Sequence, residues 1–323
     1  MSKKNVAILY GGFSEEYEIS IKSAEQICNW LDKERYNIYP VLVTKEGWKY
    51  PDKNGITIDK NFFGFIKDNQ VIKFDFAFII IHGSPGENGL LTGYLDTLGI
   101  PYSTSRTEVL SLTFNKHYCK VILSFIGITT PDWLYIKAED YIDIELIKKK
   151  IGYPLFVKPC NSGSSIGTSK VFNEENLSNA VKRAFSVDNQ IIIEKAINGI
   201  ELSCGVFKTK SRLIVLPVTE IVPKKEFFDY EAKYISGMSE EITPARINSS
   251  LYTYCQEITK KICNYLNCYG FSRIDYILKD NQLYFLEINT IPGMSSASII
   301  PQQVKYLGLN MTDLLTNIIE EAF

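Results

Sequence analysis

The sequence predicts an α/β protein of more than one domain, and three observations carry that expectation. With 323 residues, 45% of them hydrophobic, and a mean hydropathy of −0.05, the chain can bury more than one compact core. Its N-terminal third alternates short apolar runs with amphipathic stretches, the pattern of βαβ units. Further on, a Gly/Ser-rich loop, PCNSGSSIGTSKV from Pro159, separates two apolar runs and reads as a hairpin tip.

Taken in order, residues 6–10 form a short apolar strand that ends in Gly11-Gly12, followed by a helix over 20–31 and a strand over 38–43. The run FDFAFIII, 74–81, predicts a strand buried on both faces, and its end delivers His82 and Gly83 into a loop with Gly86, Glu87, Asn88 and Gly89. Ligands of open parallel sheets collect at such strand ends. A helix over 90–98 and a helical stretch over 107–125 lead into a second domain, with the boundary near 112. YPLFVK, 153–158, is a strand that runs into the loop at 159–168 and then a second strand; QIIIEK, 190–195, is another. From about 199 alternating strands build a third region, and no internal repeat or low-complexity tract interrupts them.

Composition narrows the function classes. A formal net charge of −2, from 35 basic and 37 acidic residues, makes no field that would hold nucleic acid or an anionic membrane non-specifically. The opening MSKKNVAILYGG has too short an apolar run for a signal peptide, and no segment offers about 18 uncharged apolar residues in a row, so a cytoplasmic protein is expected. Seven scattered cysteines without CxxC pairs read as reduced core thiols.

The strongest chemical signal is YFLEINTIPG, 284–293, together with RIDY, 273–276. Alternation along a strand sends Glu287 and Asn289 to one face, and Asp275 meets them if its own strand pairs alongside. Two carboxylates and an amide suit Mg²⁺, which takes a few hard oxygens and completes its shell with water and phosphate. The competing reading is an edge strand with a merely solvated face. Lys158 and Lys116 are two cations placed to meet phosphate oxygens while backbone N–H groups of the Gly/Ser loop, Ser165 among them, wrap the distal phosphates. Glu194, Lys195 and Ile197 form a connecting segment suited to an adenine edge, and Glu201 suits ribose hydroxyls. A dinucleotide fold would require GxGxxG after the first strand, where GGFSEE stands.

GGFSEEYEIS (11–20), HGSPGENG (82–89), NK (115–116), VKP with GSSIG (157–167), EK (194–195), DYEAKY (229–234), RIDY and LEINTIPGMSSAS (286–298) occur in one order, and together they resemble the D-alanine:D-alanine ligases of the ATP-grasp superfamily along nearly the whole chain. The resemblance implies a three-domain fold: an N-terminal Rossmann-like substrate-binding domain over 1–112, a central domain with the phosphate flap over 113–199, and a C-terminal domain with lid and metal site over 200–323. It implies ATP, Mg²⁺ or Mn²⁺ as two ions, D-alanine as substrate, and a homodimer as a common assembly. By the same resemblance Glu16, Ser164 and Tyr234 form a hydrogen-bonded triad that latches flap and lid, the lid spanning 227–247, and Glu16 anchors the first D-alanine ammonium. Lys233 adds charge compensation and His82 touches substrate. Arg273 and the Gly293 N–H stabilise an oxyanion, and Ser298 and Ile299 receive the second D-alanine. Asn88, Thr92 and Ser162 depart from the family's usual residues. A D-alanine:D-lactate or D-alanine:D-serine ligase, or another ATP-grasp carboxylate–amine ligase, is the alternative.

Overall fold

The computed structural model describes residues 3–52, 55–223 and 239–323. Three sheets and a small hairpin carry the chain. In the first sheet the Lys4–Gly11 strand lies between Tyr36–Val43 and Phe76–Ile79, parallel to both, and two short antiparallel strands extend one edge. Val6, Ala7, Ile8 and Leu9 are all buried, which is why this strand reads as a continuous apolar run and not an alternating one. The helix that follows, Tyr17–Trp30, is pinned to the sheet by Ser20, whose hydroxyl donates to the Ile80 carbonyl at 2.6 Å and accepts from the Gly11 N–H at 2.9 Å.

A second, antiparallel sheet has the order Ser169–Val171, Leu155–Pro159, Gln190–Lys195, Trp133–Lys137. The helices Ile144–Lys150 and Leu177–Phe185 pack on it around Leu155, Val157, Val181 and Ile193. The third sheet, also antiparallel, has the order Ser239–Ile242, Leu213–Pro223, Ile200–Lys208, Gly270–Lys279, Gln282–Asn289. Helices Ser249–Tyr265 and Ile299–Tyr306 pack against its central strands. None of the seven cysteines forms a disulfide, and six are buried.

Several elements differ from the sequence expectation. The stretch over 107–125 is two helices, Thr107–Phe114 and Lys116–Ser124, because Asn115 adopts an extended backbone and its side chain caps the Tyr118 N–H. The strand expected over 74–81 is regular over Phe76–Ile79, and the helix expected over 20–31 runs Tyr17–Trp30. A hairpin of Gly64–Lys67 and Gln70–Lys73, absent from the expectation, turns on Asp68 and Asn69, both left-handed. Of the predicted lid, residues 239–242 are a strand paired with Leu213–Pro223, whereas residues 227–238 lie outside the described residues.

The first and third sheets meet closely. Gly270, with φ +73°, sits so near the Ser103 carbonyl that a Cβ would collide with it. Thr104 Oγ1 donates to the Thr290 carbonyl at 2.9 Å, and the Met294 N–H donates to Ser23 Oγ at 3.1 Å. Gly270→Ala is expected to cost about 2–4 kcal/mol, from left-handed strain plus overpacking. Urea unfolding of the two proteins measures this, and a change within about 0.5 kcal/mol would show that the junction yields freely.

Candidate active site

The site begins with one strand pairing. Gly270–Lys279 and Gln282–Asn289 are joined by a two-residue turn in which Asp280 and Asn281 are both left-handed. The register sets Asp275 opposite Glu287 and Arg273 opposite Asn289. All four side chains therefore share a face, while Ile274 and Ile288 point into the core. The trio expected to meet is brought together.

Within it, Asp275 is fully engaged. One carboxylate oxygen accepts from Ser203 Oγ at 2.7 Å and Arg273 Nε at 3.0 Å; the other accepts from Arg273 Nη2 at 2.8 Å and Asn289 Nδ2 at 3.0 Å. Arg273 thus holds a bidentate ion pair with its strand neighbour. Glu287 faces Lys116, whose ammonium lies 3.5 Å from Glu287 Oε2 and donates to the Ser162 carbonyl at 2.5 Å. Lys116 opens its helix right after Asn115 and is fixed by an N–H bond to the Cys160 carbonyl. The first helical turn is thereby tied to the base of the Gly/Ser loop.

That loop, residues 160–168, caps the cleft. Ser164 and Ser165 have φ of 49° and 59°, a left-handed pair that curls the loop inward, and Ser164 is buried. Gly163 lies against Glu16 so closely that a Cβ would stand 2.8 Å from Glu16 Oε2. Glu16, itself buried, precedes the first helix, so loop and N-terminal sheet touch at this point. Glu87, Lys116, Ser162, Gly163, Glu287 and Asn289 line a narrow cleft.

On the second sheet Lys158 and Glu194 sit on paired strands, and the Lys158 ammonium bonds Glu194 Oε1. Lys120 Nζ reaches Glu194 Oε2 at 3.1 Å. Burial alone would raise the Glu194 carboxyl, yet the two lysines outweigh it and hold it down at about 2. Glu194 therefore spends its side chain on lysines. Among the segment's amides, the Lys195 N–H donates to the Asp132 carbonyl and the Ala196 N–H to the Pro154 carbonyl. Lys195 is exposed and Ile197 half-buried; Glu201 is close enough to Lys158 to favour its charged form.

His82 is buried, with Nδ1 at 2.8 Å from the Ile291 carbonyl and, among the described residues, no partner for Nε2. Desolvation lowers its pKa, which Glu16 partly offsets. Gly293 packs on Ser298, where a Cβ would stand 2.9 Å from Ser298 Oγ, and Ser298 and Ser295 hydroxyls bond at 2.8 Å. Ile299 starts the helix behind them. Lys233 and Tyr234 lie outside the described residues. Lys120 goes unread in the sequence, and Glu87, placed there in the loop after His82, is given no role. Lys120 follows Lys116 by four residues, one turn along the same helix face, and that spacing was the available signal.

Two family profiles match the chain, the D-ala D-ala ligase N-terminus over residues 5–105 and the D-ala D-ala ligase C-terminus over 122–320. The chain belongs to the D-alanine–D-alanine ligase family. Relatives include the D-alanine–D-alanine ligases of Azobacteroides pseudotrichonymphae, 48% identical over 98% of this chain and 99% of that protein, and Porphyromonas gingivalis, 44% identical over 100% and 98%. Among solved structures, the VanG D-Ala:D-Ser ligase of Enterococcus faecalis superposes with a TM-score of 0.89 at 31% identity, covering both chains entirely. D-alanyl-alanine synthetase A of Vibrio cholerae gives 0.89 at 28% identity, over 100% of this chain and 99% of that one. The family's ATP-grasp fold accounts for the two antiparallel sheets that flank the cleft.

Glu87 carries a pH-dependent consequence. Burial, and then the nearby Glu16 charge, push its carboxyl up to about 8 even though the Gly83 N–H donates to it at 2.7 Å. The folded chain thus keeps a proton that the unfolded chain sheds near 4.5, so stability from this group is full below 4.5 and is lost as pH rises towards 8. In chelator-containing buffer, Glu87→Gln should lose less stability between pH 5 and pH 8 than the parent protein, by denaturant unfolding. Parallel losses would show the carboxyl to be ionised in the fold.

Proposed function

We propose that this protein joins two D-alanines into D-alanyl-D-alanine at the expense of ATP, through a D-alanyl phosphate, supplying peptidoglycan precursor synthesis in the cytoplasm. The observation that carries the reading is the shared face of Arg273, Asp275, Glu287 and Asn289 opposite Lys116 and beneath the Gly/Ser loop. D-alanine as acceptor is supported by the names of relatives 41–48% identical over nearly the whole chain. Among the described residues, no helix is long and apolar enough to cross a membrane.

The donor set fits a hard divalent cation. Among the described residues no three His, Cys, Asp or Glu side chains cluster, so the site is two carboxylates and an amide: Asp275, Glu287 and Asn289. Such a set suits Mg²⁺ or Mn²⁺, leaving positions for water and phosphate. When bound, the ions would neutralise phosphate charge during transfer.

The chain's own residues would divide the remaining work. Lys116 and Lys158 bind nucleotide phosphate, each steadied by a neighbouring carboxylate. Glu16 holds the ammonium of the first D-alanine, whose carboxylate oxygen attacks the γ-phosphorus as the bond to ADP breaks. The amine of the second D-alanine then attacks the acyl carbon, an oxyanion develops, and phosphate leaves as the amine gives up a proton. Arg273 and the Gly293 N–H stabilise that oxyanion. For Arg273 this requires its grip on Asp275 to be shared with substrate. Ser298 and Ile299, at the head of their helix, receive the acceptor's carboxylate and methyl. The Gly/Ser loop against Glu16, with Ser164 and Ser165 in it, excludes water from the acyl phosphate, a task that the family resemblance also gives to Lys233 and Tyr234, outside the described residues.

The test is phosphate release with ATP and Mg²⁺, with products weighed. Release with D-alanine alone, accompanied by the dipeptide mass, is expected; a mixed product when D-serine or D-lactate is added would reassign the acceptor, and release without any amino acid would sink the reading. Glu287→Gln should lower kcat by about 10²-fold or more while the unfolding midpoint stays unchanged, since it removes charge where the cation binds. Unchanged turnover would remove Glu287 from the metal site.

A further inference from the structure

We propose that Lys120, buried beside Glu194, is a positioning residue for nucleotide phosphates: it shares the Glu194 charge so that the Lys158 ammonium is not wholly committed to that carboxylate and can meet the phosphate chain. The inference deepens the nucleotide reading above and rests on it.

The geometry is a row of three charges. The Lys120 and Glu194 side chains are 1% and 2% exposed, and Lys120 Nζ lies 3.1 Å from Glu194 Oε2. Lys158, 18% exposed, takes the other carboxylate oxygen, Oε1, and is the member of the row most open to solvent. The Lys120 ammonium also stands 5.9 Å from the centroid of Trp133, on the strand paired with Glu194. A lysine this deeply buried is costly unless paired, and Glu194 is the carboxylate at its side.

Charge balance gives the pairing a purpose. Lys116 faces Glu287, and Glu194 alone would cancel Lys158. With Glu201, which also acts on Lys158, three ammonium groups stand against three carboxylates; without Lys120 the group carries one negative charge that opposes phosphate. Lys158 would also be held more strongly by Glu194, since the carboxylate's full charge would then act on a single cation. Lys120 therefore acts through Glu194 without touching the nucleotide, which separates it from Lys116 and Lys158. Its effect should scale with phosphate charge and leave the nucleoside part of the ligand indifferent.

The decisive experiment is calorimetric titration of the intact chain, with Mg²⁺, by ADP and by adenosine. Lys120→Met should weaken ADP about tenfold or more while adenosine changes by less than about twofold, and Lys120→Arg, which keeps the charge, should bind ADP within about threefold of the parent. A merely structural role would weaken both ligands together, and that result, or equal ADP binding by the Met variant, overturns the proposal. If the Met variant does not fold, Lys120→Arg decides: retained ADP affinity supports the charge role, and a tenfold loss of ADP with adenosine preserved defeats it. A parent protein that binds neither ligand overturns the nucleotide reading itself, and this inference with it.

Discussion

The antiparallel pairing of Gly270–Lys279 with Gln282–Asn289 is the constraint on which the site depends. Side chains alternate across a strand, so slipping one strand by a single residue would send Glu287 and Asn289 into the core and Ile288 into the cleft. Two features fix the register. The turn at Asp280 and Asn281 closes in two residues and permits one alignment, and an irregularity between Asp275 and Tyr276 lets the buried Tyr276 reach the Thr259 hydroxyl at 2.8 Å while Asp275 stays opposite Glu287. Chemistry at the cleft thus inherits its precision from a hairpin.

Around that hairpin, burial and charge work against each other in a graded way. Asp275 accepts from four donor atoms, Glu194 is ion-paired with two lysines, and Glu87 accepts from a backbone N–H, two carboxylates nearby opposing its charge. Two of these acids therefore take opposite protonation behaviour. Glu194 is held ionised far below the usual carboxylate range, and Glu87 is held protonated to about 8. For Glu194 and Glu87 the sign of the partners decides the direction, since burial pushes both carboxyls upward and only Glu194 has cations to reverse it.

Much of this was legible in the sequence where one principle dominated locally. The buried strand at Lys4–Gly11 and the face shared by Glu287 and Asn289 follow from apolar runs and a period of two. The break at Asn115 was hidden because apolar periodicity continues across it; a capping side chain, and not a change of pattern, ends the helix. The hairpin over Gly64–Lys73 escaped because its turn has no glycine and its strands leave Ile66 and Val71 largely exposed. Lys120 escaped for the opposite reason, since a helical lysine reads as solvated unless its partner, 74 positions later in the sequence, is known to pack above it. Contacts between distant segments are what single-sequence patterns leave out.

The loop after Asn289 hangs from two bodies at once. Thr104 and Ser23 of the N-terminal region, with the His82 ring, hold the Thr290 carbonyl, the Met294 N–H and the Ile291 carbonyl. The loop's sequence belongs to the C-terminal profile match, yet its position is dictated by side chains from the N-terminal one. Recombining halves from diverged relatives at the natural seam would separate these partners. A chimera that keeps this loop in place has to carry Ser23, His82 and Thr104 along with it, because the loop is suspended from outside its own half.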